Sequence, residues 1–65
     1  MEWEGELLLV LGRPVASVRL SGERWIAFVH ARDGAKILGW HGQRSDAQLE
    51  AERAARARLA LEVVA

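Results

Sequence analysis

RWIAFVH, which spans Arg24–His30, combines aromatic and β-branched residues and is typical of a β-strand. Side chains alternate between the two faces of a strand. Trp25 and Val29 therefore share one face, and Ile26 and Phe28 share the other. Because both faces are apolar, one layer of helix covers only one of them. The stretch predicts a strand whose second face needs a cover from another chain.

The length and composition of the chain point to the same need. Its 65 residues make a single domain, and a chain of this size buries only about 60% of its unfolded surface. Cysteine is absent, so no disulfide can stabilise the fold, and the absence fits a reducing cytoplasm. Nine basic and nine acidic residues give zero net charge, which argues against binding to nucleic acid or a membrane through charge alone. The acidic start and the short apolar runs predict neither a signal peptide nor a membrane span.

Turn residues divide the first two thirds of the chain into short strands. The triplets GRP (12–14), SGE (21–23) and RDG (32–34) are typical of tight turns. Short turns join neighbouring strands in antiparallel pairs. The sequence predicts an α+β fold, an antiparallel three- to four-stranded β-meander followed by one C-terminal α-helix packed on the sheet. The predicted strands cover about 6–11, 15–20, 24–31 and 35–41, and the helix covers about 46–64.

The predicted helix is rich in good helix formers and starts at a capping signal. Ser45 is followed three residues later by Gln48, which is the spacing of a capping box. A helix that serves one small core usually shows one apolar stripe. Here the apolar residues form two partial stripes, with Leu49, Leu59, Ala60 and Val63 on one side and Ala47, Ala51, Ala54 and Ala55 on the other. The helix therefore also predicts more apolar surface than one contact covers.

The sequence predicts no catalytic, metal or cofactor site. His30 and His41 are the only histidines, and no cysteine or carboxylate completes the three or four ligands that a metal usually needs. No Gly-x-Ser-x-Gly pattern surrounds Ser45, and no two carboxylates stand out as an acid–base pair. We therefore expect a protein that is not an enzyme.

An interaction surface is the leading interpretation. Tryptophan is enriched at the centres of protein interfaces, and this short chain has three tryptophans. Together with the second face of the RWIAFVH strand, this predicts a protein interface that includes Ile26, Phe28, Trp3 and Trp40. We expect the chain to form a homo-oligomer and to bind a protein partner.

The layout of GERWIAFVHARDGAKILGWHGQRSDAQLEAERAARA (22–57) resembles known DNA-binding domains that have a three-stranded sheet. It is similar to the plant AP2 domain and to the arm-binding domains of tyrosine integrases, over about 40 of the 65 residues. It also resembles small bacteriophage proteins of the same meander-plus-helix layout, some of which inhibit host machinery. The first resemblance implies a helix behind the sheet and a sheet face that reads the major groove. The positions that match the family's groove-reading residues are Arg19, Arg24, His30 and Lys36, with Trp25 or Trp40. For a DNA-binding module we expect Arg19, Arg24, Arg32 and Lys36 as the phosphate or base contacts.

The face of the RWIAFVH strand separates the two functions. Ile26 and Phe28 share the face of Arg24, where a DNA reader carries polar groups. The leading prediction is therefore a small phage-like or mobile-element-like interaction protein, and a sheet-face DNA-binding module is the alternative. A structural virion component is a third class.

Overall fold

The computed structural model describes the backbone of residues 1–64 and the side chains of residues 1–61. The chain forms five strands and one helix. In chain order they are β1 (Glu2–Glu4), β2 (Leu7–Val10), β3 (Arg13–Ser21), β4 (Arg24–Ala31), β5 (Gly34–His41) and α1 (Arg44–Val64). The strands make one antiparallel meander, and α1 packs across one face over β3, β4 and β5. The predicted α+β class, with an antiparallel sheet followed by one helix, is confirmed.

The sheet has five strands, and the predicted count of three to four is wrong. The additional strand is β1, which pairs with β2 so that Trp3 lies opposite Leu8. Three residues are too few to show a period of two with any clarity, and the two glutamates hide the single apolar residue between them. The contacts of Trp3 with the rest of the molecule, described below, hold this short strand in place.

The turn between β2 and β3 lies one residue before the predicted one. Leu11 and Gly12 are its central residues, with φ of 52° and 78°, and Arg13 already begins β3. Two successive positive φ angles characterise the type I′ hairpin turn, whose twist matches that of the flanking strands. The predicted GRP turn is therefore wrong in position, because Pro14 lies inside β3 beside an irregularity in its pairing with β2.

Helix α1 begins at Arg44, and Ser45 does not cap it. The amide of Ala47 donates to the carbonyl of Gln43 at 3.3 Å, which is the first hydrogen bond of a helix whose N-cap is Gln43. Ser45 lies exposed within the first turn, so its predicted role is wrong. Asp46 lies in the same turn, where the positive end of the helix dipole favours a carboxylate.

The core lies between the sheet and the alanine stripe of the helix. Seven residues form it, each at most 1% exposed: Leu8, Ala16, Val18, Ala27, Ala47, Ala51 and Ala55. Short alanine side chains let the helix backbone lie close to the sheet. The leucine stripe is turned away from the core's centre, and Leu49 is 43% exposed. The side chain of Val63, which the sequence also assigned to that stripe, lies outside the described residues.

Candidate functional site

The sheet face turned away from α1, called the outer face from here on, carries most of the predicted interface. Ala27 is fully buried in the core, so its neighbours on β4, Ile26 and Phe28, point to the outer face. Trp40 lies directly opposite Ile26 on β5 and shares this face. The structure therefore brings three of the four predicted interface residues onto one surface.

A row of apolar side chains crosses the outer face through Phe28. Leu7 pairs with Ser17, Ser17 pairs with Phe28, and Phe28 pairs with Ile37. Residues directly opposite each other in antiparallel strands lie on the same face. Leu7 is 40% exposed and Ile37 is 59% exposed. The row therefore crosses four neighbouring strands, and three of them, β2, β4 and β5, contribute apolar side chains to it.

A second row on the outer face explains why Ile26 is almost buried although no helix covers it. Ile26 lies between Arg19 on β3 and Trp40 on β5. Its neighbours leave it 7% exposed, while Trp40 itself remains 53% exposed. The long stem of an arginine and the ring of a tryptophan can cover apolar surface in this way. Among the described residues, no helix or loop lies over these two rows.

The polar side chains next to Phe28 are paired with each other. Ser17 Oγ and His30 Nε2 are 3.0 Å apart, and both side chains are partly buried. A polar group that already has a partner costs less to bury than an unpaired one. If a second surface covered the outer face, these two side chains would therefore keep a hydrogen-bond partner at the centre of that face.

Trp3 lies on the opposite side of the sheet from the other predicted interface residues. Its indole packs against the core, and Nε1 donates a hydrogen bond of 2.9 Å to Glu52 Oε1 of α1. At the other edge of the sheet, His41 Nε2 lies 2.8 Å from Glu50 Oε1. The helix is thus held to β1 on one flank and to β5 on the other.

The four basic residues predicted as nucleic-acid contacts do not converge on one surface. Arg19 and Arg24 lie exposed on the outer face, by their alternation with Val18 and Trp25. Arg32 lies in the turn between β4 and β5.

Lys36 lies away from the outer face. It pairs with Val29, whose side chain points to the helix side of the sheet. The ammonium of Lys36 is 4.0 Å from a carboxylate oxygen of Asp33. Of the four predicted nucleic-acid contacts, only Arg19 and Arg24 therefore lie on the outer face.

Sequence reasoning missed two residues of the outer face and one contact behind it. Leu7 lies in a continuous apolar run, where the sequence does not show which residues share a face. Ile37 lies beyond an irregular pairing between β4 and β5 that shifts the alternation of side chains along β5. Arg44 places its guanidinium 5.3 Å from the centre of the Trp25 ring and donates to the Gly5 carbonyl at 2.7 Å. A local sequence pattern cannot predict these contacts, because Arg44 is distant in the chain from both Trp25 and Gly5.

Comparisons of the chain with protein-family models, with curated proteins and with solved structures found no match. The resemblance to sheet-face DNA-binding domains and to phage proteins therefore stays a prediction. Within the described part of the chain, no three His, Cys, Asp or Glu residues are grouped to hold a metal ion. The same part contains no helix that is both long and apolar enough to cross a bilayer.

Proposed function

We propose that the chain is a non-enzymatic interaction protein that associates with a second copy of itself through the outer face and binds a protein partner by the same chemistry. One observation carries the proposal. The face without a helix bears Phe28, Ile37 and Trp40, and the last two remain more than half exposed, while the large side chains of the other face, Leu8 and Val18, are fully buried under the helix. Exposed apolar patches larger than a few hundred Å² usually mark an interaction site.

The outer face is large enough for a stable contact. β4 and β5 each have eight residues in a five-stranded sheet. At ~3.3 Å per residue and ~4.8 Å between strands, the 32 strand residues give a face on the order of 500 Å² in plan. Side-chain relief adds to this area, and a standard interface buries about 800 Å² per partner. Two copies packed face to face would therefore meet the usual size of a specific interface.

The charges of the outer face suit a dry centre with a wet rim. Glu2 and Glu4 belong to the edge strand β1, Arg24 begins β4, and Arg19 on β3 is exposed, with the long stem that lets its guanidinium reach water from beside Ile26. These charges can stay hydrated when the centre around Phe28 is covered, whereas a buried unpaired charge would cost several kcal/mol. The apolar centre and polar margin match the usual anatomy of protein interfaces.

Phe28→Glu tests the proposal, with Leu61→Glu as its control. We expect the parent to sediment as a dimer or larger species at micromolar concentration. Phe28→Glu should sediment as a 7.2 kDa monomer with an unchanged circular dichroism spectrum, because it places a carboxylate in the apolar contact. Leu61 is exposed on the helix, so the same change there should leave assembly intact.

A second variant keeps the test decisive if Phe28→Glu fails to fold. Ile37→Glu changes a residue of the same row that is 59% exposed, so it should fold and still abolish assembly. A parent that stays monomeric on concentration, or two glutamate variants that assemble as the parent does, would contradict the proposal.

DNA binding is the second candidate, supported by Arg19 and Arg24 on the outer face beside Trp40. Arg24→Ala should then weaken binding to a duplex and reduce the slope of log affinity against log salt by about 1. Arg53→Ala, on the exposed part of the helix, is the matched control. Equal slopes for both variants and the parent would exclude a phosphate contact by Arg24.

A further inference from the structure

A cleft lies at one end of the molecule, where the turn after β2, the end of β4 and the second half of α1 meet. Its volume is about 730 Å³. Seven apolar residues form most of its walls: Val10, Leu11, Pro14, Val15, Ala31, Ala55 and Leu59. The cleft is separate from the Leu7–Ile37 row of the outer face, although His30 borders both.

The cleft is positively charged in a chain that is neutral as a whole. Arg13, Arg32 and Arg58 line it, and its described lining contains no aspartate or glutamate. The guanidinium groups of Arg13 and Arg32 form no ion pair or hydrogen bond with another described residue, so the argument rests on these two side chains. Asp33, which follows Arg32 in the chain, has a carboxylate oxygen 4.0 Å from Nζ of Lys36 and forms its ion pair with that residue. Two available guanidinium groups beside an apolar floor favour a ligand that carries both carboxylates and an apolar group.

Leu11 gives the cleft a second unusual feature. This residue lines the cleft, is 98% exposed and has a φ of 52°. A residue with a Cβ rarely adopts the left-handed region, and asparagine is the usual choice at this position of a type I′ turn. Backbone strain of this kind concentrates at functional sites. A strained and fully exposed leucine is explained if its side chain contacts a partner.

We infer that this cleft binds an acidic segment of a protein partner, independently of the outer face. The guanidinium groups of Arg13 and Arg32 would pair with carboxylates of the segment, and guanidinium matches the planar geometry of a carboxylate. Leu11 and Leu59 would contact an apolar side chain between those carboxylates. An inorganic anion would use the arginines but leave the apolar walls empty, so a peptide fits the cleft better.

The test uses the full chain labelled with ¹⁵N and two synthetic peptides, acetyl-EELEE-amide and acetyl-KKLKK-amide. We expect the acidic peptide to shift the amide resonances of residues 10–13, 15 and 31–32, and the basic peptide to leave them in place. The double variant Arg13→Glu/Arg32→Glu should lower the affinity at least about tenfold, because attraction becomes repulsion at two positions.

The double variant Arg19→Glu/Arg24→Glu is the matched control, since it makes the same change of net charge on the outer face. It should keep the affinity within about threefold, because salt screens charges outside the cleft. Equal losses in both double variants, or no shift with either peptide, would overturn the inference. Shifts of the same amides by inorganic phosphate or a DNA duplex, but not by the acidic peptide, would also overturn it. Peptide binding by the Phe28→Glu variant separates this site from the outer face.

Leu11→Asn separates binding from turn structure at a single residue. Asparagine tolerates the left-handed region, so the variant should melt a few degrees higher than the parent. Its affinity for the acidic peptide should nevertheless fall about threefold or more, because the apolar contact is lost. A higher melting temperature with unchanged affinity would contradict the contact assigned to Leu11.

Discussion

The two faces of the sheet belong to the same strands, but the helix covers only one of them. Under the helix, the centre is filled by Ala16, Ala27 and the alanines of α1, with Leu8 and Val18 as the largest fully buried residues. On the outer face stand Ile26, Phe28, Ile37 and Trp40. Hydrophobic stabilisation grows with the apolar area removed from water. The comparison teaches that large apolar side chains such as Ile37 and Trp40 are still more than half exposed after the helix has packed.

The covered face owes its small residues to the way the helix is attached. Trp3 holds Glu52 at one flank, and His41 holds Glu50 at the other. A side chain at Gly39 would place its Cβ 2.6 Å from Glu50 Oε1, so glycine makes room for this carboxylate. With both flanks attached, the helix lies close to the middle of the sheet, where short alanine side chains of both elements meet beside Leu8 and Val18.

The largest expected difference between the faces is the loss of stability when glutamate replaces either of two adjacent residues of β4. Ala27→Glu buries a carboxylate at a position that is fully enclosed, which costs several kcal/mol. A domain of this size is stable by roughly 3–10 kcal/mol, so we expect this variant to be largely unfolded by circular dichroism. Phe28→Glu, one residue later, should keep its structure. Two variants that fold equally well would contradict the assignment of the faces.

Alanine substitutions of two adjacent leucines of β2 compare the two faces without introducing a charge. Leu8 is fully buried and Leu7 is 40% exposed. Leu8→Ala should lower the free energy of unfolding by about 2–5 kcal/mol, because it leaves a cavity in the core. Leu7→Ala should change the unfolding of the monomer by at most about 0.5 kcal/mol. Urea titrations at a concentration below assembly would measure both, and similar midpoints would show that β2 does not alternate as described.

Two tryptophans give the smallest of the expected differences. Trp3→Phe keeps an aromatic ring but removes the donor to Glu52, and we expect a loss of about 1 kcal/mol in unfolding free energy. Trp40→Phe, on the outer face, should leave the monomer's stability unchanged and weaken assembly. If Trp3→Phe instead weakens assembly and leaves the melting curve in place, Trp3 is the interface anchor that the sequence predicted.

Residues with strong local signals were placed well by the sequence, and residues held by distant contacts were not. The alternation in RWIAFVH and the Asp-Gly turn at residues 33–34 indicate β4 and the hairpin that follows it. The strand β1 has no comparable signal, because its stability comes from pairing with β2 and from the bond between Trp3 and Glu52. For a related reason, α1 begins at Arg44, two residues before the predicted start. Arg44 reaches across Trp25 to Gly5, and that contact favours a helix that already includes residue 44.

The sequence by itself determined the α+β class, the antiparallel order of the strands that it recognised, and the existence of two apolar faces on β4. These features follow from turn chemistry and side-chain periodicity, which act over a few residues. Only the tertiary structure decided which face the helix covers, that alanine rather than leucine faces the sheet, and that Trp3 lies apart from Phe28. Periodicity sorts side chains into faces but does not say which face is buried, because that depends on how closely two distant elements can pack.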